Sequence, residues 1–144
     1  MTQRSCVFCR IAAKESPAEI EYEDDQVLAF RDLYPKAPIH LLIVPRRHIE
    51  SLARLEPDDT EVIGRCMQVA RLLGERTGYA ERGYRVSCNT GPEGGQVVYH
   101  VHFHFTNDAL DPLKGHAMQS RKHILISGKL NKTLAGFYRL AAPV

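Results

Sequence analysis

The stretch YHVHFHF, residues 99–105, places a histidine at every second position. In a β-strand, alternate side chains share a face, so His100, His102 and His104 are expected to form one row, opposite a core-facing row of aromatic and valine side chains. Neighbours in such a row lie about 6.5–7 Å apart, whereas the ligands of one zinc ion lie within about 3.5 Å of each other. At most two of the three histidines are therefore expected on one metal ion. Three interpretations of these histidines remain: ligands of one metal ion, solvated side chains, or three residues with different roles.

Around this stretch the sequence predicts an α+β fold. Between Pro57 and Gly78, apolar side chains recur at steps of three and four residues, which is typical of one long amphipathic helix. A shorter helix is expected in CRIAAKES, residues 9–16. Five short apolar segments in hairpin-like succession predict a five-stranded antiparallel sheet with the long helix on one face. The strand segments are EIEYED (19–24), QVLAFRD (26–32), HLLIVP (40–45), YRVSC (84–88) and VVYHVHFHF (97–105).

Composition excludes several classes of function. The chain has 144 residues and a net charge of +2, with no apolar run near the ~20 residues that cross a bilayer. Residues 1–105 carry 13 Lys/Arg and 15 Asp/Glu, and residues 106–144 carry 6 and 2, so the last part is basic. The sequence has no dense cluster of Lys and Arg of the kind that indicates nucleic-acid binding. The first residues lack the apolar core of a secretion signal, so we expect a cytoplasmic protein without a membrane or nucleic-acid partner.

The triad and its surroundings resemble a known family. His-Val-His-Phe-His-Phe matches the His-apolar repeat of the histidine-triad (HIT) family of nucleotide hydrolases and transferases. GGQVVYH (94–100) and the segment 21–52 are similar to the family's sequences in the same order, and the likeness spans residues 5–105. It is nearest to the Hint-like branch and its zinc-binding bacterial subset. The resemblance implies a HIT-like fold in residues 1–105, an extension in residues 106–144 packed on the same domain, and a homodimer.

The resemblance also implies catalytic roles for four histidines. His102 would attack the α-phosphorus of a nucleotide and form a nucleotidyl-histidine intermediate. The backbone carbonyl of His100 would hold the proton on the other ring nitrogen of His102. His104 would attend the phosphate or the leaving group, and His40 would support this network from a neighbouring strand. The expected substrates are purine nucleoside 5′-phosphoramidates or related conjugates, cleaved at a phosphorus–nitrogen or phosphoanhydride bond.

Four further residues resemble the family's substrate-binding positions. Asp32 matches the carboxylate that accepts hydrogen bonds from ribose hydroxyls. Asn89, Gly95 and Gln96 match the phosphate-side loop, where amide and N–H groups suit charge developing on phosphorus oxygens. The chain departs from the family at Val97, where a serine or threonine is usual. The loss of that hydroxyl predicts altered handling of the leaving group, and the sequence leaves the leaving group itself open.

Cysteine spacing suggests a structural metal site. Cys6 and Cys9 form a C-x2-C pair, which alone is weak evidence for a site. With His48 and His100 they match the zinc ligands of the bacterial subset. A closed Cys2His2 set leaves no open position for activated water, so this Zn²⁺ would stabilise the fold rather than catalyse. Cys66 and Cys88 lie in apolar patterns and are expected to be core residues.

Three functions remain compatible with the sequence. The leading hypothesis is a nucleotidyl hydrolase or transferase that works through His102. A metal-dependent hydrolase would instead place a catalytic ion on the histidines. A nucleotide-binding or regulatory protein with little catalysis is the third, and Val97 makes it less remote.

Overall fold

The computed structural model describes residues 3–107, and the expected packing of the extension in residues 106–144 lies outside them beyond Asn107. Two helices and five strands make up this part, joined by single turns of 3-10 helix at Gln3–Ser5, Leu52–Arg54 and Pro57–Asp59. The helices are α1 (Val7–Ala12) and α2 (Thr60–Arg76). The strands are β1 (Ile20–Glu23), β2 (Val27–Arg31), β3 (His40–Pro45), β4 (Arg85–Ser87) and β5 (Phe103–Thr106).

The five strands form one antiparallel sheet in the order β1-β2-β3-β5-β4. The expected fold class is therefore confirmed. Strand β5, which carries His104, lies in the interior of the sheet, because it pairs with β3 on one side and with β4 on the other. Just beyond β5, Asn107 Oδ1 accepts a 2.9 Å hydrogen bond from the backbone N–H of Ile39.

The triad segment is less regular than the alternation predicts. Strand β5 begins only at Phe103, so the strand expected over residues 97–105 is wrong for its first six residues. The physical reason is that two backbone N–H groups of this segment donate hydrogen bonds to carbonyls outside the sheet pairing. The N–H of His100 turns back to the carbonyl of Val98 at 2.9 Å, and the N–H of Val101 donates to Ile49 O at 2.7 Å. His100 and His102 therefore lie in the approach to the strand.

Each face of the sheet has its own apolar core. On one face, α2 packs its buried stripe against inward side chains of β2, β3 and β5, including Phe103 and Phe105. This cluster also contains Cys66, while Cys88 packs partly buried against it. On the other face, α1 contributes Phe8 to a smaller cluster with side chains of β2 and β3. The central strands are thus covered on both sides, which accounts for the unbroken burial of β3.

Helix α2 has the expected start and stop signals. The 3-10 turn Pro57–Asp59 runs directly into α2, and the signals lie in this turn: Asp59 Oδ2 accepts a 2.9 Å hydrogen bond from the N–H of Glu56 within a capping box, and Pro57 occupies its first position. Gly78, at φ 78°, follows the end of the helix in a conformation that glycine adopts without strain. Among residues 3–107, no helix has the length and apolar character needed to cross a membrane.

Candidate active site and metal cluster

The triad histidines gather on the α1 face of the sheet, opposite α2. His104 lies in β5 beside Leu42 of β3, whose side chain belongs to the α1-face cluster. The Phe8 ring meets the His102 ring edge-on at 5.1 Å between centroids. His102 and His104 are themselves 5.0 Å apart between ring centroids. The alternation of the sequence therefore separates the site from the main core: Phe103 and Phe105 face α2, and His104 faces the other way.

One hydrogen bond fixes the tautomer of His102. Its Nδ1 atom lies 2.7 Å from the backbone carbonyl oxygen of His100. A carbonyl can only accept, so Nδ1 carries the proton and a neutral ring keeps a free lone pair on Nε2. Burial lowers the pKa of His102 despite this bond, so the neutral form is favoured. The ring has the protonation state of a nucleophile.

A second chain of hydrogen bonds fixes the proton of His104. The backbone N–H of Lys36 donates to His40 Nδ1 at 3.1 Å, so a neutral His40 carries its proton on Nε2. His40 Nε2 lies 2.8 Å from His104 Nδ1 and donates to it. His104 then holds its own proton on Nε2. Burial, followed by the neighbouring His102 and His40 rings, lowers the pKa of His104 to about 4. His104 is thus a neutral donor beside the neutral ring of His102.

Asp32 lies just after β2, next to the same network. Its Oδ2 atom is 3.4 Å from His40 Nε2, and its Oδ1 atom accepts a 2.9 Å hydrogen bond from the N–H of Tyr34. The carboxylate is largely covered, with 19% of its side chain exposed. It sits beside the histidine network, at the position where the sequence places a ribose contact.

The Gly-rich turn is closed by side chains and by backbone that only glycine adopts easily. Asn89 Nδ2 donates to Gly94 O at 2.6 Å, across the turn. Gly91 and Gly95 have φ values of 70° and 76°. A Cβ on Gly94 would lie 3.0 Å from the Thr90 carbonyl carbon and closer still to its oxygen. The turn is therefore compact, and its backbone conformation depends on glycine at these positions.

The two residues after this turn point in opposite directions. Gln96 is 6% exposed, and its side chain bonds to Gly91, Glu50 and Val98. Val97 is 84% exposed. The structure thus places Asn89, Gly95 and Val97 along the turn, while the Gln96 side chain, expected among the substrate contacts, is turned into the protein.

A second group of side chains joins the N-terminus to the triad segment. Cys6 Sγ and Cys9 Sγ lie 3.4 and 3.5 Å from His100 Nδ1, and Cys9 Sγ lies 3.3 Å from His48 Nδ1. The four candidate ligand atoms all lie within 4.8 Å of one another. The two cysteines and two histidines that were expected to bind metal therefore lie together in the structure.

The donor set of this group fits a metal ion. His100 Nε2 lies 2.7 Å from Pro45 O, so its proton is held there and Nδ1 keeps the lone pair that a ligand needs. Partial burial, together with the neighbouring Cys6, raises the pKa of Cys9 to about 11, because two adjacent sulfurs resist negative charge without a cation. Bonds of about 2.3 Å to sulfur and 2.0–2.1 Å to nitrogen place tetrahedral ligands at spacings close to those seen. The cluster could therefore hold a metal.

Asp32, His40 and His104 also come within 4.8 Å of one another through their ligand atoms. Their tautomers argue against a metal there. His40 would have to bind through Nε2, which requires the proton on Nδ1, and Nδ1 already faces the N–H of Lys36. A bound ion would set two donors against each other or require an imidazolate. The described geometry thus favours a proton network over a second metal site.

Sequence reasoning missed two backbone groups in the site. The carbonyl of Pro45 orients His100, and the N–H of Lys36 orients His40. Neither has a side-chain signature. The only available signal was position: Pro45 ends strand β3, and Lys36 lies four residues before the histidine that it contacts.

Comparisons with known proteins agree with this arrangement. The family model described as "Scavenger mRNA decapping enzyme C-term binding" matches residues 5–120. The purine nucleoside phosphoramidase of Escherichia coli (strain K12) is 40% identical over 111 residues, which cover 76% of this chain and 93% of the relative. Adenylylsulfatase HINT1 of Arabidopsis thaliana is 41% identical over 100 residues, covering 68% and 67%.

Two solved structures have the same fold. A HIT family hydrolase from Legionella pneumophila Philadelphia 1 is 42% identical with a TM-score of 0.71, over 72% of this chain and 93% of that one. A zinc-bound histidine triad family protein from Mycobacterium smegmatis is 28% identical with a TM-score of 0.66, over 78% and 82%. With the fold, the alternating histidines and these relatives in agreement, the chain belongs to the histidine-triad family.

Proposed function

We propose that this chain hydrolyses or transfers the nucleotidyl group of purine nucleoside 5′-phosphoramidates or related conjugates, through a covalent intermediate on His102. The observation that carries the proposal is the 2.7 Å contact between His102 Nδ1 and the carbonyl oxygen of His100. It leaves a lone pair on Nε2 of a buried, neutral ring. A nucleophile of this kind needs no separate base to remove a proton before attack.

In the first step, His102 Nε2 forms a bond to the α-phosphorus while the bond from phosphorus to the leaving group breaks. The leaving amine or oxygen develops negative charge as it departs, and the Nε2–H of His104 donates a hydrogen bond to it. A proton from solvent completes the free leaving group, so His104 stays neutral, and its 2.8 Å hydrogen bond from His40 holds the ring in place. Removing one such donor typically costs about 10²–10³-fold in rate.

In the second step, water attacks the nucleotidyl-histidine and displaces His102 Nε2. The attacking water gives its proton to solvent, which balances the proton taken up by the leaving group in the first step. The products are a nucleoside 5′-monophosphate and a regenerated His102. Asp32 is proposed to contact the ribose, and Asn89 and Gly95 to line the phosphate side.

The names of two relatives support this substrate class. One is a purine nucleoside phosphoramidase and the other an adenylylsulfatase, and each is about 40% identical to this chain. Different leaving groups are therefore handled by similar sequences. We propose that the exposed Val97 shifts the preference of this chain among leaving groups, since it offers no hydrogen bond at that side of the turn.

Zinc is the proposed metal of the Cys6, Cys9, His48 and His100 cluster. The donor set supports it, as does the zinc-bound relative from Mycobacterium smegmatis. The ion would stabilise the thiolates and tie the N-terminus to the triad segment. We further propose a cytoplasmic homodimer, which light scattering at micromolar concentration tests: a monomer contradicts the dimer.

The function is tested by a turnover panel of adenosine phosphoramidates, adenylyl sulfate, dinucleoside polyphosphates and sugar nucleotides. We expect turnover of phosphoramidates and a mass increase of one nucleotidyl group on His102 after a quench in alkaline denaturant, in which a phosphorus–nitrogen bond to histidine persists. His102→Ala should lower turnover by at least about 1,000-fold. Tight AMP binding with no turnover would instead indicate a regulatory protein. Activity that depends on an added ion in the folded chain would indicate metal catalysis.

A further inference from the structure

Gln96 has an unusual position for a residue of a surface turn. It is 6% exposed, while Val97 beside it is 84% exposed. Its side-chain oxygen accepts a 2.9 Å hydrogen bond from the N–H of Gly91. Its amide nitrogen donates to Glu50 O at 2.8 Å and to Val98 O at 3.2 Å. Both protons of the amide and one lone pair are thus used within the protein.

These partners fix the orientation of the amide. Turning it over would place its oxygen against two carbonyl oxygens and its NH2 group against an N–H. The backbone adds a fourth bond, because the N–H of Gln96 donates to Gly91 O at 3.0 Å. Gln96 therefore holds both polar groups of Gly91 and closes the Gly-rich turn at its base.

The same side chain is connected to the nucleophile through a short series of bonds. Val98 O accepts from Gln96 Nε2 and also, at 2.9 Å, from the N–H of His100. The carbonyl of His100 in turn accepts from His102 Nδ1. The backbone of His100, which sets the tautomer of His102, is therefore held by Val98 O, and the same oxygen accepts a hydrogen bond from Gln96.

A second connection anchors this unit from the other side. Gln96 Nε2 bonds to Glu50 O, and the adjacent Ile49 O accepts from the N–H of Val101 at 2.7 Å. Two neighbouring carbonyls therefore bind the triad approach before and after His100. The chain segments that carry the turn and the triad are held in one register.

We propose that Gln96 is a positioning residue for the reaction: its buried amide aligns the Gly-rich turn with the carbonyl of His100 that orients His102. This inference rests on the proposed function, because the reaction at His102 is what the alignment serves. Gln96 does not touch the substrate in this assignment, so its loss should slow formation of the intermediate and leave nucleotide binding almost unchanged.

Two variants and one control test the proposal. Gln96→Met keeps the length of the side chain and removes all three of its hydrogen bonds. Gln96→Glu keeps the acceptor for Gly91 and removes both donors. Gln68→Met is the matched control, since Gln68 is an exposed α2 residue whose side chain accepts a 3.3 Å hydrogen bond from Arg71.

Single-turnover formation of the nucleotidyl-His102 adduct, AMP affinity and amide hydrogen exchange are measured on the metal-loaded full chain. Gln96→Met should slow adduct formation by up to about 100-fold, as expected for a small misplacement of reacting groups, with AMP affinity within about threefold. Exchange at Gly91 should accelerate at least about tenfold in Gln96→Met, because its N–H loses its only assigned acceptor, and stay slow in Gln96→Glu. The Val101 amide should remain protected in both, and Gln68→Met should match the wild type.

Adduct formation at the wild-type rate in both Gln96 variants overturns the proposal. A loss of AMP affinity equal to the loss of rate also overturns it and makes Gln96 a substrate contact. If neither variant unfolds cooperatively, Gln96 is a general folding determinant and the proposal fails. A wild-type chain that forms no adduct overturns the proposed function itself, and this inference with it.

Discussion

His40 Nε2 lies 2.8 Å from His104 Nδ1, across the pairing of strands β3 and β5. Because the N–H of Lys36 occupies the other nitrogen of His40, the proton of this contact belongs to His40. The consequence is a directed network in which His104 keeps its proton at the far nitrogen, Nε2. His102, 5.0 Å away between ring centroids, keeps a lone pair at the same atom. The Nε2 atom of His104 can therefore donate a hydrogen bond, whereas the Nε2 atom of His102 offers a lone pair. Nearby backbone groups set this difference.

The first prediction concerns hydrogen-bond donation by His104 Nε2. His104→Ala should slow cleavage of alkylamine phosphoramidates by about 10²-fold or more, because a basic leaving group develops the most negative charge and gains most from this donor. Nucleotide conjugates with a weakly basic leaving group, such as fluoride or nitrophenolate, should slow by less than about tenfold. The measurement is a rate series against leaving-group pKa. An equal loss across the series contradicts the donor role of His104.

The second prediction concerns the backbone N–H of Lys36. Lys36→Pro removes this donor, whereas Lys36→Ala keeps it and removes only the ammonium group. The proline variant should slow turnover of alkylamine phosphoramidates by about tenfold, since His40 can then take the other tautomer and stop donating to His104. The alanine variant should stay within about twofold of the wild type. Nitrogen NMR of the His40 ring reports the tautomer, and equal behaviour of the two variants would refute this assignment.

Metal content provides the third prediction. We expect one zinc ion per chain by elemental analysis and almost none in a Cys6→Ser, Cys9→Ser double variant. Chelation should lower the free energy of unfolding by more than about 3 kcal/mol, because the ion compensates buried thiolates. Cys88→Ser, which changes a thiol outside the cluster, is the control and should retain the metal. If the chelated chain stays fully folded yet inactive, and the ion alone restores turnover, the structural role is wrong.

The fourth prediction is a pH dependence of stability from Asp24. Burial raises the pKa of this carboxyl, but hydrogen bonds from Tyr22, from the backbone of Gln26 and Val27, and from Arg65 together lower it to about 2, from 3.8. The lowered pKa contributes stability that is fully present above pH 3.8 and is lost as the pH falls through 3.8 towards 2.

Urea unfolding between pH 7 and pH 2.5 measures this loss. The wild type should lose about 1–1.5 kcal/mol more than Asp24→Asn across that range, after allowance for solvent screening. Asp25→Asn, at the exposed neighbouring position, is the matched control and should keep the wild-type pH dependence. Parallel curves for Asp24→Asn and the wild type would show that Asp24 does not carry the effect.

Most of the architecture was predictable from local patterns. The period of α2, its Pro57 start and its Gly78 stop depend on neighbouring residues, and so does the alternation that turns Phe103 and Phe105 towards α2. The metal cluster and the tautomer of His102 were implied by the family resemblance, and no local pattern alone predicts either. The start of β5 was missed because Val101 bonds to Ile49, more than fifty residues earlier, and no local pattern reveals such a partner. The bond from Gln96 to Glu50 O was not foreseen for the same reason, because the two residues are far apart in the sequence.

The last prediction compares two glycines of α2. An ideal Cβ on Gly74 would lie 3.0 Å from Tyr84 Cζ and closer still to its Cε1, whereas nothing lies within 4 Å of a Cβ on Gly64. The Tyr84 ring is stacked on Phe105 at 4.7 Å between centroids, in the core beside the triad strand.

Gly74→Ala should therefore cost about 1–3 kcal/mol, since the ring cannot move without disturbing Phe105. Gly64→Ala should stabilise the chain by about 0.5–1 kcal/mol, because alanine loses less conformational entropy than glycine within a helix. Thermal and urea unfolding of both variants measure the difference. Two stabilising substitutions would mean that Tyr84 is free to move away from α2, and that the packing between this helix and strand β5 is looser than the ring contacts indicate.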